Sequence, residues 1–142
     1  MNVDLEVILR LLLASVLGGV IGFQREWTGK EAGLRTNMLI SLGAALLTVL
    51  SIYGFSGSDP SRIAAGVATG IGFIGAGVIL HRSGGGVIGL TSAATIFTVA
   101  GIGMAAGAGK YIIAVGACGI ALIVLLLPHL HRPTKDGTTK EQ

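Results

Sequence analysis

Charge is scarce in this chain of 142 residues: Asp, Glu, Lys and Arg together make up 12%, against 51% hydrophobic residues, and the mean hydropathy is +0.80. Soluble domains carry about a quarter of their residues as charges, so this composition excludes one and points to an integral membrane protein. Cysteine is nearly absent as well. Cys118 stands alone inside an apolar run, which excludes an intrachain disulfide framework and leaves the compartment open. A basic leader is missing too, because Asp4 and Glu6 precede the first apolar segment, and this argues against a cleavable signal. The formal charge is +3, yet the cations are scattered through short loops and form no stripe that would serve a nucleic acid. All seven acids, Asp4, Glu6, Glu26, Glu31, Asp59, Asp136 and Glu141, fall at or beyond the edges of the apolar segments. No carboxylate is therefore expected at mid-membrane, where a transporter usually builds its ion site. No nucleophile and base occur at usable spacing, so no enzyme and no cofactor are expected. His129 and His131 are two positions apart without a third ligand nearby, and no metal site is assigned to them.

What is present is a set of five apolar segments, roughly Leu5 to Phe23, Asn37 to Phe55, Ile63 to Leu80, Leu90 to Ala108 and Tyr111 to Leu127. Their lengths predict an all-α integral membrane protein, a bundle of about five transmembrane helices. With the N-terminus outside, the inner side receives Arg25, Lys30, Arg35, Arg82, Arg132, Lys135 and Lys140, and the outer side only Arg62 and Lys110. That asymmetry predicts an outside N-terminus and a cytoplasmic C-terminus. Residues 1–128 form the membrane domain in this reading, and residues 129–142 a polar, disordered cytoplasmic tail with no soluble domain after it. The short break Gly107-Ala-Gly-Lys110 leaves a kinked or re-entrant arrangement as the alternative to two separate spans.

The third segment, IAAGVATGIGFIGAGVIL, is uncharged throughout. It contains Gly70-Ile-Gly72-Phe-Ile-Gly75, a formal G-x-G-x-x-G match, but lacks the preceding strand and following acid that a dinucleotide loop needs. On a helix, Gly66, Gly70 and Gly77 gather on one side, and Ala64, Ala68, Gly72 and Gly75 on the other. Two small-residue faces permit a close neighbour on each, which predicts a central helix with Ile63, Val67 and Ile74 looking outward.

Arg10 lies about 9 Å inside the first segment if the helix starts near Asp4, where it either snorkels to the interface, pairs with Glu6, or serves a function. Gly18 and Gly22 form a G-x-x-x-G packing step, and Trp27 falls at the inner interface. Between the first two segments Arg25, Glu26, Lys30, Glu31 and Arg35 alternate in sign, either as a topology-setting loop or as a clamp for an anionic group. Thr36 is the expected N-cap of the second helix. Asn37, Ser41, Thr48 and Ser51 form a polar stripe on the second segment, and Thr91, Thr95 and Thr98 another on the fourth, with Ser92 beside it. Such hydroxyls usually bond their own backbone or a facing helix, so glue between helices is the expected role, and the sharper alternative is a hydrated path beside the third helix. Arg82-Ser-Gly-Gly-Gly86 reads as a connector. Gly103, Gly107 and Gly116 are left over as small-residue surfaces that suit a homodimer.

Four stretches together resemble the MgtC/SapB family of bacterial inner-membrane proteins. They are Arg10-Leu-Leu-Leu-Ala followed by Gly18-Gly-Val-Ile-Gly-Phe-Gln-Arg25-Glu26, then Ala32-Gly-Leu-Arg35-Thr36, then Gly70-Ile-Gly-Phe-Ile-Gly-Ala-Gly77-Val-Ile, then Gly89-Leu-Thr-Ser-Ala-Ala-Thr95. The resemblance implies a multi-pass protein of the cytoplasmic membrane linked to magnesium homeostasis and, in pathogens, to survival inside host cells. It also implies action on membrane partners, with the F-type ATP synthase as the suggested one, and a C-terminal domain in longer members. The charged positions that match are Arg10, Arg25, Glu26 and Arg35. Gln24, Ile88 and Phe97 depart from the pattern, where Glu, a basic residue and Trp are common, and Thr91 and Thr98 stand where virulence-type members carry Asn and Cys. The reading is therefore a regulatory membrane protein that binds partners in the bilayer, with a transporter or channel for Mg²⁺ or another small ion as the alternative.

Overall fold

The computed structural model describes residues 3–55, 57, 59–80 and 88–127, and all regular structure among them is helical. Helix α1 runs Val3–Trp27, α2 Leu34–Tyr53, α3 Pro60–Leu80, α4 Leu90–Gly107 and α5 Tyr111–Leu126. The first four are long and apolar enough to cross a bilayer, while α5 has 16 residues and reaches about 24 Å. Helix α1 outruns its apolar segment by four residues, because Gln24, Arg25 and Glu26 are good helix formers and nothing stops the chain before Gly29. The expectations for His81 to Gly86, for the His129 and His131 pair, and for the tail from residue 129 lie outside the described residues.

Helix ends are set by local chemistry. Gly29 takes φ 64 and Gly109 φ 73, and each closes the preceding helix with a pair of bonds. Gly29 N–H and Lys30 N–H donate to the carbonyls of Glu26 and Arg25, as Gly109 N–H and Lys110 N–H do to those of Ala106 and Ala105. This is the glycine-terminated stop in which the left-handed residue satisfies two orphan carbonyls. The break before α5 is thus a tight reversal of three residues. Asp59 starts α3: its carboxylate accepts from the Ser61 amide at 2.9 Å and the Ser61 hydroxyl at 2.7 Å, with Pro60 in the first helical position. Those two bonds, the hydroxyl foremost, hold the Asp59 carboxyl below its usual range.

The centre of the bundle is α4, which touches every other helix, and not α3. Half of the α4 span is buried, against 17% of the α3 span. Helices α1, α2 and α4 form a triangular core, α3 leans on its α2/α4 flank, and α5 on its α1/α4 flank. Two apolar clusters follow from this, one of Leu17, Ile21, Val99 and Ile102 with Ala114 and Cys118, the other of Ala44, Val67, Ile71 and Ile96.

The expected central place of α3 is therefore corrected. Val67 faces inward and is buried, and a Cβ at Gly66, Gly70, Gly72 or Gly77 would meet no described atom within 4 Å; at Gly75 it would touch Ala93. The glycines that bring helices together are elsewhere. A Cβ at Gly18 would lie 2.7 Å from the Ser41 Cβ, at Gly22 2.8 Å from the Leu34 Cα, and at Gly107 2.6 Å from the Ala45 carbonyl oxygen. At Gly103 it would run into the Ser41 carbonyl. Two G-x-x-x-G steps, one on α1 and one on α4, thus bring both helices close against α2, which removes Gly103 and Gly107 from the surfaces left for a homodimer. Gly116 has no described atom near its would-be Cβ. The physical reason is that a glycine permits close approach without requiring it; the long-range pairings described next decide which are used.

Candidate functional site

Arg10 and Arg25 are 15 residues apart on α1, about 22 Å along its axis and within roughly 60° around it, so they point to the same side near its two ends. That side meets α4, which runs antiparallel. Arg10 Nη1–H donates to the Gly107 carbonyl at 3.0 Å, and Arg25 Nη2–H to the Ser92 hydroxyl at 2.5 Å. The two pairs fix one register between α1 and α4, because the residue numbers in each pair have the same sum. Both arginines are buried, with 8% and 4% of their surface exposed, and neither snorkels outward.

At the Arg10 end the guanidinium also pairs with Glu6, one turn earlier on α1, and lies 5.7 Å from the centre of the Tyr53 ring at the end of α2. A Cβ at Gly109 would come within 3.0 Å of it, so the glycine of the α4–α5 turn also makes room for this cation. A positive charge at the carboxyl end of α4, satisfying a last-turn carbonyl, is electrostatically favourable. Arg10 therefore ties α1, α2 and the α4–α5 turn together.

The Arg25 end is more polar. Glu31 turns its carboxylate toward Gly89 at the start of α4, and its charge is felt at Arg25. Glu26 Oε2 accepts from the Leu34 amide at 2.8 Å, which makes Glu26, together with Gly33, the cap of α2. Thr36, the expected cap, instead lies exposed within the first turn of that helix. The Asn37 amide donates to the carbonyls of Ala32 and of Gly33, the latter at 2.9 Å. Ala32 is held at φ 56, a left-handed conformation that costs a non-glycine residue about 1–2 kcal/mol. Residues 28–33 are thus a built loop, bonded at Gly29, Lys30, Ala32 and Gly33. It presents Lys30 outward, with Arg35 and Trp27 exposed at its two flanks. Arg35 has no ion pair with any described residue.

The two polar stripes do not face one another. Asn37 and Ser41 are fully buried where α1 and α4 close on α2. Thr91, Thr95 and Thr98 line a different groove of about 370 Å³, between α4 and α5 beside Ile21 and away from α3. Thr95 and Thr98 donate to the carbonyls of Thr91 and Ala94, and Thr48 to that of Ala44, each four residues back. Three buried polar atoms at the Arg25 end, Gln24 Oε1, Arg25 Nε and Asn37 Oδ1, and Ser41 Oγ midway along the bundle, have no described protein partner. Sequence reasoning singled out Arg10, Arg25 and Glu26 and weighed Glu6 as a partner of Arg10, but missed Gly107, Tyr53 and Ser92 as partners of the two arginines and Leu34 as that of Glu26. Pairing across 97 and 67 residues leaves no local signal.

The model of the MgtC family matches residues 11–132. A relative in Escherichia coli K12, "Putative magnesium transporter YhiD", is 48% identical over 137 residues, which is 91% of this chain and 62% of the relative. Protein MgtC of Salmonella typhimurium is 48% identical over 120 residues, 84% of this chain and 51% of its own length. An uncharacterised protein of Haemophilus influenzae is 42% identical over 145 residues, 92% and 61% of the two chains. The chain spans about three-fifths of the length of the first of these curated relatives. No solved structure matches it.

Proposed function

The chain belongs to the MgtC family, and from that premise we propose that it is a regulatory protein of the bacterial cytoplasmic membrane, linked to magnesium homeostasis, that acts by docking on another membrane protein. The observation that carries this reading is the 28–33 loop. Its conformation is held by the two bonds that end α1, by Glu26 and by the Asn37 amide, at the expense of a left-handed Ala32, while Lys30 and Arg35 remain outside without described ion pairs. Exposed cations on a bonded backbone, with an exposed Trp27 between helix and loop, suit recognition of an acidic partner surface, where Trp and Arg contribute more than their share of binding energy. The buried charges are spent differently: Arg10 and Arg25 are occupied in joining α1 to α4.

The excess of Lys and Arg puts this loop and the C-terminus in the cytoplasm, and the N-terminus, Arg62 and Lys110 outside. The membrane part of the F-type ATP synthase, implied by the family resemblance, is the partner to test first. Arg35→Ala should leave insertion and helix content unchanged while cross-linking from the loop to the partner, and the associated magnesium-starvation phenotype, are lost. Retained cross-linking and phenotype would remove the loop from the mechanism.

A second reading, transport of Mg²⁺ or another small ion, draws on the name of the Escherichia coli relative and on the buried oxygens of Asn37 and Ser41 that lack described partners. Against it, every described acid lies in a loop or in the terminal turns of a helix, and Gly18 and Gly103 press on Ser41 from both sides. Mg²⁺ keeps several waters and favours carboxylates, and that seam offers neither space nor charge. Saturable Mg²⁺ flux into liposomes, abolished by replacing Ser41 and retained in Arg35→Ala, would reverse the preference.

A further inference from the structure

Helices α2 and α3 touch only lightly, and between them runs a groove of about 410 Å³, open along its side. Its floor is made by Gly43, Gly66 and Gly70, none of which would bring a Cβ within 4 Å of a described atom, and its walls include Leu47 and Ile74. From Arg62 to Ile74 the groove follows α3 for about 18 Å. At the roughly 30 Å³ that a water-sized group occupies in a liquid, it has room for on the order of a dozen chain carbons. Arg62 is the one charged residue lining it. The nearby Asp59 carboxylate makes no ion pair with Arg62 and accepts instead from the Ser61 amide and hydroxyl. Among the described residues Arg62 has no ion pair.

We propose that this groove is a binding site for one anionic phospholipid, its acyl chain lying over the glycine floor and its phosphate on Arg62. The chemistry is complementary at both ends. An uncharged, side-open channel one chain wide accepts a hydrocarbon tail and offers it no hydrogen-bonding demand. A cation at its mouth, on the first turn of α3, selects a headgroup with net negative charge. The depth comes from the missing side chains, since any larger residue at Gly66 or Gly70 would fill the space the tail takes. The site is separate from the 28–33 loop and does not depend on the docking proposal.

The test is native mass spectrometry of the purified full chain, mixed with equal amounts of phosphatidylglycerol and phosphatidylcholine carrying the same acyl chains. The expected result is retention of phosphatidylglycerol about fivefold over phosphatidylcholine, the factor one cation near an anionic headgroup provides. Arg62→Gln should remove that preference, Arg62→Lys should keep it, and Gly66→Leu should lower retention of both lipids about tenfold with helix content unchanged. Equal retention of the two lipids by the unmodified chain, or a preference that survives Arg62→Gln, would overturn the proposal. So would Gly66→Leu that leaves lipid retention alone but dissociates a dimer, because the groove would then seat a second copy of the chain.

Discussion

Gly103→Ala places a methyl group against backbone on α2, and its cost can be worked from the contacts. The new Cβ would overlap the Ser41 carbonyl oxygen and sit 2.8 and 2.9 Å from the Ser41 carbonyl carbon and Cα. None of those atoms belongs to a flexible side chain, so α4 must move off α2 as a body. Overpacking of this kind costs about 1–3 kcal/mol, and the rigidity of the obstacle argues for the upper end. Ala recovers about 1 kcal/mol of helix propensity, leaving a net destabilisation of about 2 kcal/mol. Gly66→Ala is the control: its Cβ meets nothing described within 4 Å, so the same propensity gain of up to about 1 kcal/mol should stand alone. Cys118, the single cysteine, is buried against α1 and reports opening of the bundle through thiol labelling in mixed detergent micelles. At fixed denaturing detergent, a difference of about 3 kcal/mol between the two variants corresponds to labelling rates about a hundredfold apart, Gly103→Ala the faster, at 1.4 kcal/mol per factor of ten. Equal rates, or faster labelling of Gly66→Ala, would refute the assignment of α2 and α4 as the clasped pair.

Arg10→Ala should destabilise the protein by about 2 kcal/mol, because it leaves the Gly107 carbonyl and Glu6 without their partner, whereas Glu6→Gln should cost under about 1 kcal/mol since Glu6 is a third exposed; detergent unfolding of both checks this. Glu26→Ala removes the cap of α2 and should cost about 1 kcal/mol, visible as faster exchange of the Leu34 amide. The Asp59 carboxyl titrates lower when folded than when unfolded, so its contribution is present above the unfolded value near 3.9 and is lost as pH falls through the folded one. Amide exchange at Ser61 should therefore accelerate relative to mid-helix amides below about pH 4, and Asp59→Asn should abolish that acid-specific step. Replacing Thr95 and Thr98 by Val should change stability by less than about 0.5 kcal/mol each, because their hydroxyls bond only their own helix.

The five helices, their approximate limits and the membrane setting were legible in the amino-acid order, because length and hydropathy are local properties. Arg10 and Arg25 are conspicuous in an apolar chain, but their partners Gly107 and Ser92 are not, since they stand 97 and 67 residues away. The hydroxyls of Thr48, Thr95 and Thr98, expected chiefly as glue between helices, bond their own backbones instead, because each has a carbonyl four residues back within reach. What the order of residues could not decide was which helix lies at the centre. Gly66, Gly70 and Gly77 on α3 look as ready for close packing as Gly18, Gly22, Gly103 and Gly107, yet only the latter four meet α2. A missing side chain lowers the barrier to contact and supplies no attraction of its own. The contacts that fix the arrangement include Arg10 reaching Gly107 and Arg25 reaching Ser92, which exist only once α1 and α4 lie antiparallel in one register. That register buries the clasping glycines and leaves the α3 glycines to the groove. The 28–33 loop is by contrast held by bonds within residues 25–37, so the tertiary arrangement decided that Arg10 and Arg25 are taken up in joining α1 to α4, while the loop's own shape is local.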